Sequence, residues 1–276
     1  IFRSPFSVIR HPSSVIGSMP LALITGASDG IGRSFAESLA RRGYDLILVA
    51  RSTARIEALG REIAERHKVR CESWTAEIST DAGRESVAGR IAALPRLDLL
   101  VNNAGFATTG KLVKTEIEPQ MEMLRLHVLA PMRLTRAALP RMIELGTGGI
   151  INVSSISGFL YGPGNVNYSA SKAYLTSFTL GLDTELVGTG VRVQALCPGF
   201  THTEIHDEML HVKKQIPSWL WMASNDVAEI SLRQLEANGR VVCIPGLRNK
   251  LMMRVVRLLP HSMRRRLAVR RKKRSG

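Results

Sequence analysis

Cysteine is scarce in this chain: Cys71, Cys197 and Cys243 are the only three in 276 residues. An odd, widely spaced set argues against a disulfide framework and for a reducing, cytoplasmic setting. No stretch reaches about 18 uninterrupted apolar residues, so no membrane span is expected. The low hydrophobicity that marks disorder is missing too, because 45% of the residues are hydrophobic. An H-E-x-x-H pair is absent; His202 and His206 stand four apart, but in His-Thr-Glu-Ile-His, with His211 beyond, and no metal is expected. Acids are absent from both ends. Residues 247–276 carry twelve cations and no acid, and residues 1–18 carry Arg3 and Arg10 alone. Of the net charge of +15, only +1 is left for residues 19–246. A nucleic-acid-binding body is therefore excluded, and any anionic partner belongs to the C-terminal tail.

Three segments follow. Residues 1–18 read as a poorly ordered extension; the chain does not begin with Met, and Met19, before Pro20 and the first strong strand, is a candidate true start. Residues 19–246 read as one domain, and 247–276 as an amphipathic basic tail. The length suits a single α/β domain able to bury a core without disulfides.

Within 19–246, short apolar runs alternate with helical periodicity. Strands are expected at Leu21–Thr25, Asp45–Ala50, Val69–Thr75, Leu97–Val101, Gly149–Val153, Val191–Cys197 and Val241–Ile244. Helices are expected after Gly30, over about 53–66, 81–93, 117–143 and 168–187, and at Val227–Glu236. Continuous apolar strands separated by helices predict an α/β fold, a parallel seven-stranded sheet covered on both faces.

Thr25-Gly26-Ala27-Ser28-Asp29-Gly30-Ile31-Gly32 lies between the first strand and first helix. Its glycines let backbone N–H groups approach a pyrophosphate at a helix N-terminus. The spacing is G-x-x-x-G-x-G rather than G-x-G-x-x-G. The second strand ends in Val49-Ala50-Arg51-Ser52. An acid there would bond a ribose 2′-hydroxyl, whereas the Arg51 guanidinium suits a 2′-phosphate, so NADP(H) is expected. Asp29 adds opposing negative charge near the same ribose.

Tyr168 and Lys172 are four apart, which on a helix stacks them on one face. A phenol titrates near pH 10, and a neighbouring ammonium favours the phenolate. Ser154 and Ser155 close the fifth strand, at the sheet end where parallel-sheet proteins place ligands.

Taken in order, Thr25–Gly32, Asn102–Gly105, Ser155, Tyr168-x-x-x-Lys172 and Pro198-Gly199 resemble the short-chain dehydrogenase/reductase family, over about residues 20–200. The resemblance implies a single-domain, doubly wound Rossmann-type fold and hydride transfer between a nicotinamide and a carbonyl or alcohol. It selects Ser155 over Ser154, thirteen residues before the tyrosine. It implies Tyr168 as general acid/base, and Lys172 bonding the nicotinamide ribose. It further implies Asn103, Ala104 and Gly105 around the adenosine half, Glu77 and Ile78 near adenine, and Pro198, Gly199 and Thr203 beside the nicotinamide. One position departs from the pattern. His127 stands where the family usually has an Asn that helps hold a water linked to the lysine. A histidine can also bond a water and relay a proton, or it can be a satisfied core residue.

Phe200 to Trp221 reads as an apolar lid with Ile205, Met209, Leu210, Ile216 and Trp219, joined by Phe159, Leu160 and Tyr161. A hydrophobic carbonyl or alcohol substrate is expected. The tail, an amphipathic Leu251–Pro260 stretch before an Arg/Lys block, fits an anionic membrane surface. A helix packed on the body with a solvated charge run fits equally. Nucleic acid is not expected, because the tail lacks aromatic residues for stacking. A homo-oligomer through the long helices follows from the resemblance alone. A different class of function is a non-catalytic protein that senses a dinucleotide and presents the basic tail at a surface.

Overall fold

The computed structural model describes residues 19–160, 162–203, 217–260, 262–263 and 265. The expected extension 1–18, the lid residues Tyr161, Ile205, Met209, Leu210 and Ile216, the histidines His206 and His211, and residues 266–276 lie outside them. The chain alternates β1 (Leu21–Thr25), α1 (Gly30–Ala40), β2 (Asp45–Ala50), α2 (Thr53–His67), β3 (Cys71–Thr75), α3 (Asp81–Ala93) and β4 (Leu99–Asn102). It continues through α4 (Ile117–Leu124), α5 (Ala130–Glu144), β5 (Gly148–Val153), α6 (Val166–Glu185), β6 (Val191–Leu196), α7 (Ser224–Glu236), β7 (Val242–Cys243) and α8 (Leu247–Leu258). The strands form one parallel sheet in the order β3-β2-β1-β4-β5-β6-β7.

Strand alternation divides the core. Ala22, Ile24, Leu46 and Leu48 point into a layer with Phe35, Leu39, Ile56, Ile63, Val227 and Leu232, from α1, α2 and α7. Leu23, Ile47, Val49 and Leu100 point into the opposite layer with Val87, Ile91, Leu134, Met142 and Leu182, from α3, α5 and α6. A side chain such as Leu48, buried between strand and helix, contributes about 2–5 kcal/mol against truncation to Ala. The winding direction reverses between β1 and β4. Their carboxyl ends diverge there and leave the crevice in which such sheets bind ligands.

Two elements differ from the sequence expectation. β3 is an edge strand of mostly exposed or half-buried residues rather than a continuous apolar run, since only β2 pairs with it. The single helix expected over 117–143 is interrupted at Arg125–Leu129 by one π-helical turn, in which Ala130 N–H reaches the Arg125 carbonyl five residues back. Pro131 follows at once; it has no N–H to offer the His127 carbonyl four residues earlier, so the ladder widens.

Candidate active site

The loop after β1 is held open by its neighbours. Gly26 N–H donates to the Val49 carbonyl, and Asn103 Nδ2 donates to the carbonyls of Thr25 and Gly26 at 3.0 and 3.1 Å. The backbone N–H groups of Asn103 and Ala104 both donate to Thr25 Oγ1. Asn103 and Ala104 therefore brace the loop from the end of β4. At Gly32 a Cβ would lie 2.1 Å from the Gly26 carbonyl oxygen, so only glycine allows the turn to close. Gly30 has φ +55°, and its open face meets Thr203. The N-cap residue of α1, Asp29, makes no side-chain cap, so the first-turn N–H groups of α1 are left to a ligand. A loop without side chains at these points, at a helix N-terminus, fits a pyrophosphate. A cavity of about 580 Å³ opens on its outer side, lined in part by Asp29, Gly30, Arg33, His202 and Thr203.

At the rim, Arg51 follows β2. Its Nε lies 3.4 Å from Glu77 Oε2, and its Nη1 lies 3.8 Å from Glu122 Oε1. Glu77 is itself fixed, because its Oε1 accepts from Ser79 N–H and Ser79 Oγ–H at 3.2 and 2.8 Å. Ile78 turns its side chain into the core, leaving only its backbone for the crevice.

Beyond β5, Ser154 and Ser155 diverge. Ser154 Oγ donates to the Lys172 carbonyl and pairs with Thr176 Oγ1, so it is spent on packing α6. Ser155 Oγ accepts from Ser157 N–H at 3.1 Å and stands close enough to the Tyr168 phenol to influence its pKa. Tyr168 and Lys172 share one face of α6, with Lys172 Nζ 5.7 Å from the Tyr168 ring centre. Lys172 Nζ donates to the Val153 carbonyl at 3.0 Å. Burial pushes the phenol above its ordinary value, while Ser155 pulls it down. Burial also lowers Lys172 to about 8. Burial is the larger of the two influences on the phenol, which stands above its ordinary value, and Ser155 works against it.

His127, in the π-turn, is buried. Its Nδ1 lies 3.0 Å from Ser171 Oγ, its ring meets Tyr168 edge-on at 5.8 Å, and its Nε2 is buried without a hydrogen-bond partner. A Cβ on Gly105 would lie only 2.6 Å from Nε2. Burial, then the Lys172 charge, holds this imidazole well below its usual pKa. The substrate side is closed by two strips of chain. Met222 N–H donates to the Phe200 carbonyl, His202 N–H donates to the Met222 carbonyl, and His202 stacks on Trp221 at 5.0 Å. Gly199 packs on the Asn249 amide. No cluster of three metal-ligating side chains occurs among the described residues.

The structure therefore gathers Ser155, Tyr168, Lys172 and His127 at the end of β5, and the glycine loop with Asn103 to Gly105 at the ends of β1 and β4. Sequence reasoning missed Glu122 and Ser171. Ser171 lies between Tyr168 and Lys172 in sequence, but its partner is 44 residues away. Glu122 reaches Arg51 from a separate helix, and no local pattern marks it.

The family model for short chain dehydrogenase matches residues 20–213. The chain is 33% identical to the NADP-dependent 3-hydroxy acid dehydrogenase of Schizosaccharomyces pombe, over 80% of this chain and 88% of that protein. It is 32% identical to a 3-oxoacyl-(acyl-carrier-protein) reductase of Aquifex aeolicus, over 77% and 88%. Among solved structures, a short-chain dehydrogenase from Sphingobium yanoikuyae in complex with NADPH superposes with a TM-score of 0.78 at 35% identity, covering 83% of this chain and 89% of that one. A bulky-bulky ketone specific alcohol dehydrogenase from Comamonas testosteroni superposes at 0.75 with 29% identity, covering 88% and 96%.

Proposed function

The chain belongs to the short-chain dehydrogenase family of oxidoreductases, and on that premise we propose that it is an NADPH-dependent reductase of hydrophobic carbonyl compounds. The observation that carries the reading is the gathering of Ser155, Tyr168 and Lys172 at the end of β5, with Tyr168 and Lys172 on one helix face, beside a loop open to a pyrophosphate. When bound, the nicotinamide supplies the hydride. Tyr168 Oη donates to the carbonyl oxygen and passes its proton there as the carbon is reduced, so the phenol O–H bond breaks as the alcohol O–H bond forms. Ser155 Oγ–H holds the same oxygen in place. The upward push of burial suits this role, because it keeps the proton on Tyr168 until the substrate oxygen becomes basic. The Lys172 ammonium then faces the phenolate left behind, and a ribose hydroxyl within its reach would complete its donors.

NADPH is favoured by Arg51 at the end of β2, and by the NADP- and NADPH-linked names of similar proteins. A hydrophobic substrate is favoured by Phe200 and Trp221 on the substrate side and by the likeness to the bulky-ketone enzyme. In this reading the enzyme is cytoplasmic and homo-oligomeric. Its catalytic domain is 19–246. The test is NADPH oxidation with a panel of apolar ketones and aldehydes. Turnover is expected with at least one of them, and Tyr168→Phe should lower it about 10²–10⁴-fold while retaining dinucleotide binding. Dinucleotide binding without turnover on any of them would overturn the reading in favour of a dinucleotide sensor.

A further inference from the structure

Helix α8 seats one face and leaves the other bare. Asn249 and Met253 are buried, and Asn249 Nδ2 donates to the Pro245 carbonyl and lies 3.6 Å from Met222 Sδ. On the opposite face, Leu247 and Leu258 are 82% and 85% exposed, with Leu251 and Val255 exposed between them. At about 100° per residue these four side chains fall within an arc of about 80°. Lys250 and Arg254 border the arc on one side and Arg248 on the other, all exposed. Trp219 continues the apolar surface from the substrate-side strip; its carbonyl accepts from Arg248 Nη1 at 3.1 Å, and it is itself exposed. No acid occurs anywhere in residues 247–276, which carry twelve cations in sequence.

We infer that this face of α8, with Trp219, lies in the plane of an anionic lipid bilayer. An apolar stripe flanked by cations matches the acyl–headgroup boundary, where the stripe is buried and the cations meet lipid phosphates. A nucleic acid would use the charge but leave four aliphatic side chains in water. The placement bears on catalysis as well. The amino-terminal half of α8 contacts Gly199 and Met222, and the helix packs on the 156–159 turn that follows Ser155. Lipid contact at α8 therefore sets the rim of the crevice at the bilayer surface, where an apolar carbonyl substrate is concentrated. This last step rests on the reductase reading; the docking itself does not.

The experiment is flotation of the full chain with vesicles of phosphatidylcholine alone, or of phosphatidylcholine mixed with phosphatidylglycerol. Wild type should bind the mixed vesicles and not the neutral ones. The combined variant Leu247→Gln, Leu251→Gln, Val255→Gln, Leu258→Gln should lose at least about tenfold of that binding. Its Tm and dinucleotide affinity should not change, because the replaced side chains are exposed. Arg248→Gln with Lys250→Gln and Arg254→Gln should reduce the preference for anionic lipid without removing it, because nine further cations of 247–276 remain. Absence of wild-type binding overturns the proposal, as does binding indifferent to the four Gln substitutions. A fall in oligomer size on those substitutions, without vesicle binding by wild type, would assign the stripe to a second copy of the chain. Duplex DNA bound more tightly than vesicles, and indifferently to the stripe, would assign the charge to nucleic acid. Vesicle binding is read without turnover, so its failure and that of the reductase assignment are separable.

Discussion

Lys172 and Arg51 are both cations on the rim of one crevice, yet they live under different physics. Lys172 is 6% exposed and donates to a backbone carbonyl; the Arg51 side chain is 71% exposed and lies between two carboxylates. Burial makes charge expensive, so the catalytic side shows displaced pKa values: Lys172 is lowered to about 8, Tyr168 is raised, and His127 is held well below its usual range. At Arg51 water and salt screen each pair, and an exposed ion pair is worth about 0–1 kcal/mol. The first half is therefore fixed and sensitive to pH. The second is adjustable, and a bound phosphate can outbid weak carboxylate partners there.

The largest effect is expected on the buried side. Lys172→Met should lower turnover by about 10²–10⁴-fold, the range for losing a group that supports proton transfer. The direction with pH follows from burial. The lowered pKa means that Lys172 is charged below about 8 and neutral above it. In wild type, kcat/KM for the dinucleotide, which reports the free enzyme, should therefore fall as pH rises through about 8. A flat profile to pH 10 in wild type would remove the contrast between the two halves, since Lys172 would then titrate like an exposed lysine with a pKa of about 10.4.

An intermediate effect is expected at the exposed side. Arg51→Gln should weaken NADPH binding about tenfold relative to NADH, roughly 1.4 kcal/mol. That preference should shrink with added salt, because the pair lies in water. Titrating both dinucleotides into wild type and variant by calorimetry checks it. A preference untouched by the substitution, or a wild type that binds NADH more tightly, would show that Glu77 and Glu122 hold Arg51 away from the ribose.

The same contrast explains what was legible beforehand. Tyr168 and Lys172 are readable because helical periodicity alone brings residues four apart together. The glycine loop is readable because its chemistry is consecutive in the chain. The strands of the sheet centre are readable because burial on both faces demands unbroken apolar runs, and β3 escapes that rule by standing at the edge. What stays hidden is assembled across distance. Glu122 meets Arg51 only once α4 packs near the end of β2, and Ser155 comes to the phenol only once β5 and α6 meet. The π-turn hides for a different reason. Apolar spacing reads as helix on either side, and the disruption depends on one N–H missing from Pro131.

The smallest effect is expected at His127, where the buried half is tested at its most unusual residue. The one hydroxyl proton of Ser171 is donated to the Tyr168 carbonyl at 2.8 Å, so His127 Nδ1 carries the hydrogen between itself and Ser171 Oγ. Nε2 is then a lone pair facing Gly105. A proton taken up at Nε2 and released from Nδ1 would pass to Ser171 and on to a backbone carbonyl, which is no proton carrier. The imidazole, neutral through the working range, is thus better placed to accept a hydrogen bond than to relay a proton. His127→Asn keeps an amide able to donate and accept, so kcat/KM should drop by no more than about tenfold, the scale of one neutral hydrogen bond. Between about pH 6 and 8 the profiles of wild type and variant should run parallel, because burial holds the His127 imidazole well below its usual pKa and neutral there. A loss as large as that of Lys172→Met, or an acid limb present only in wild type, would put His127 in the proton path.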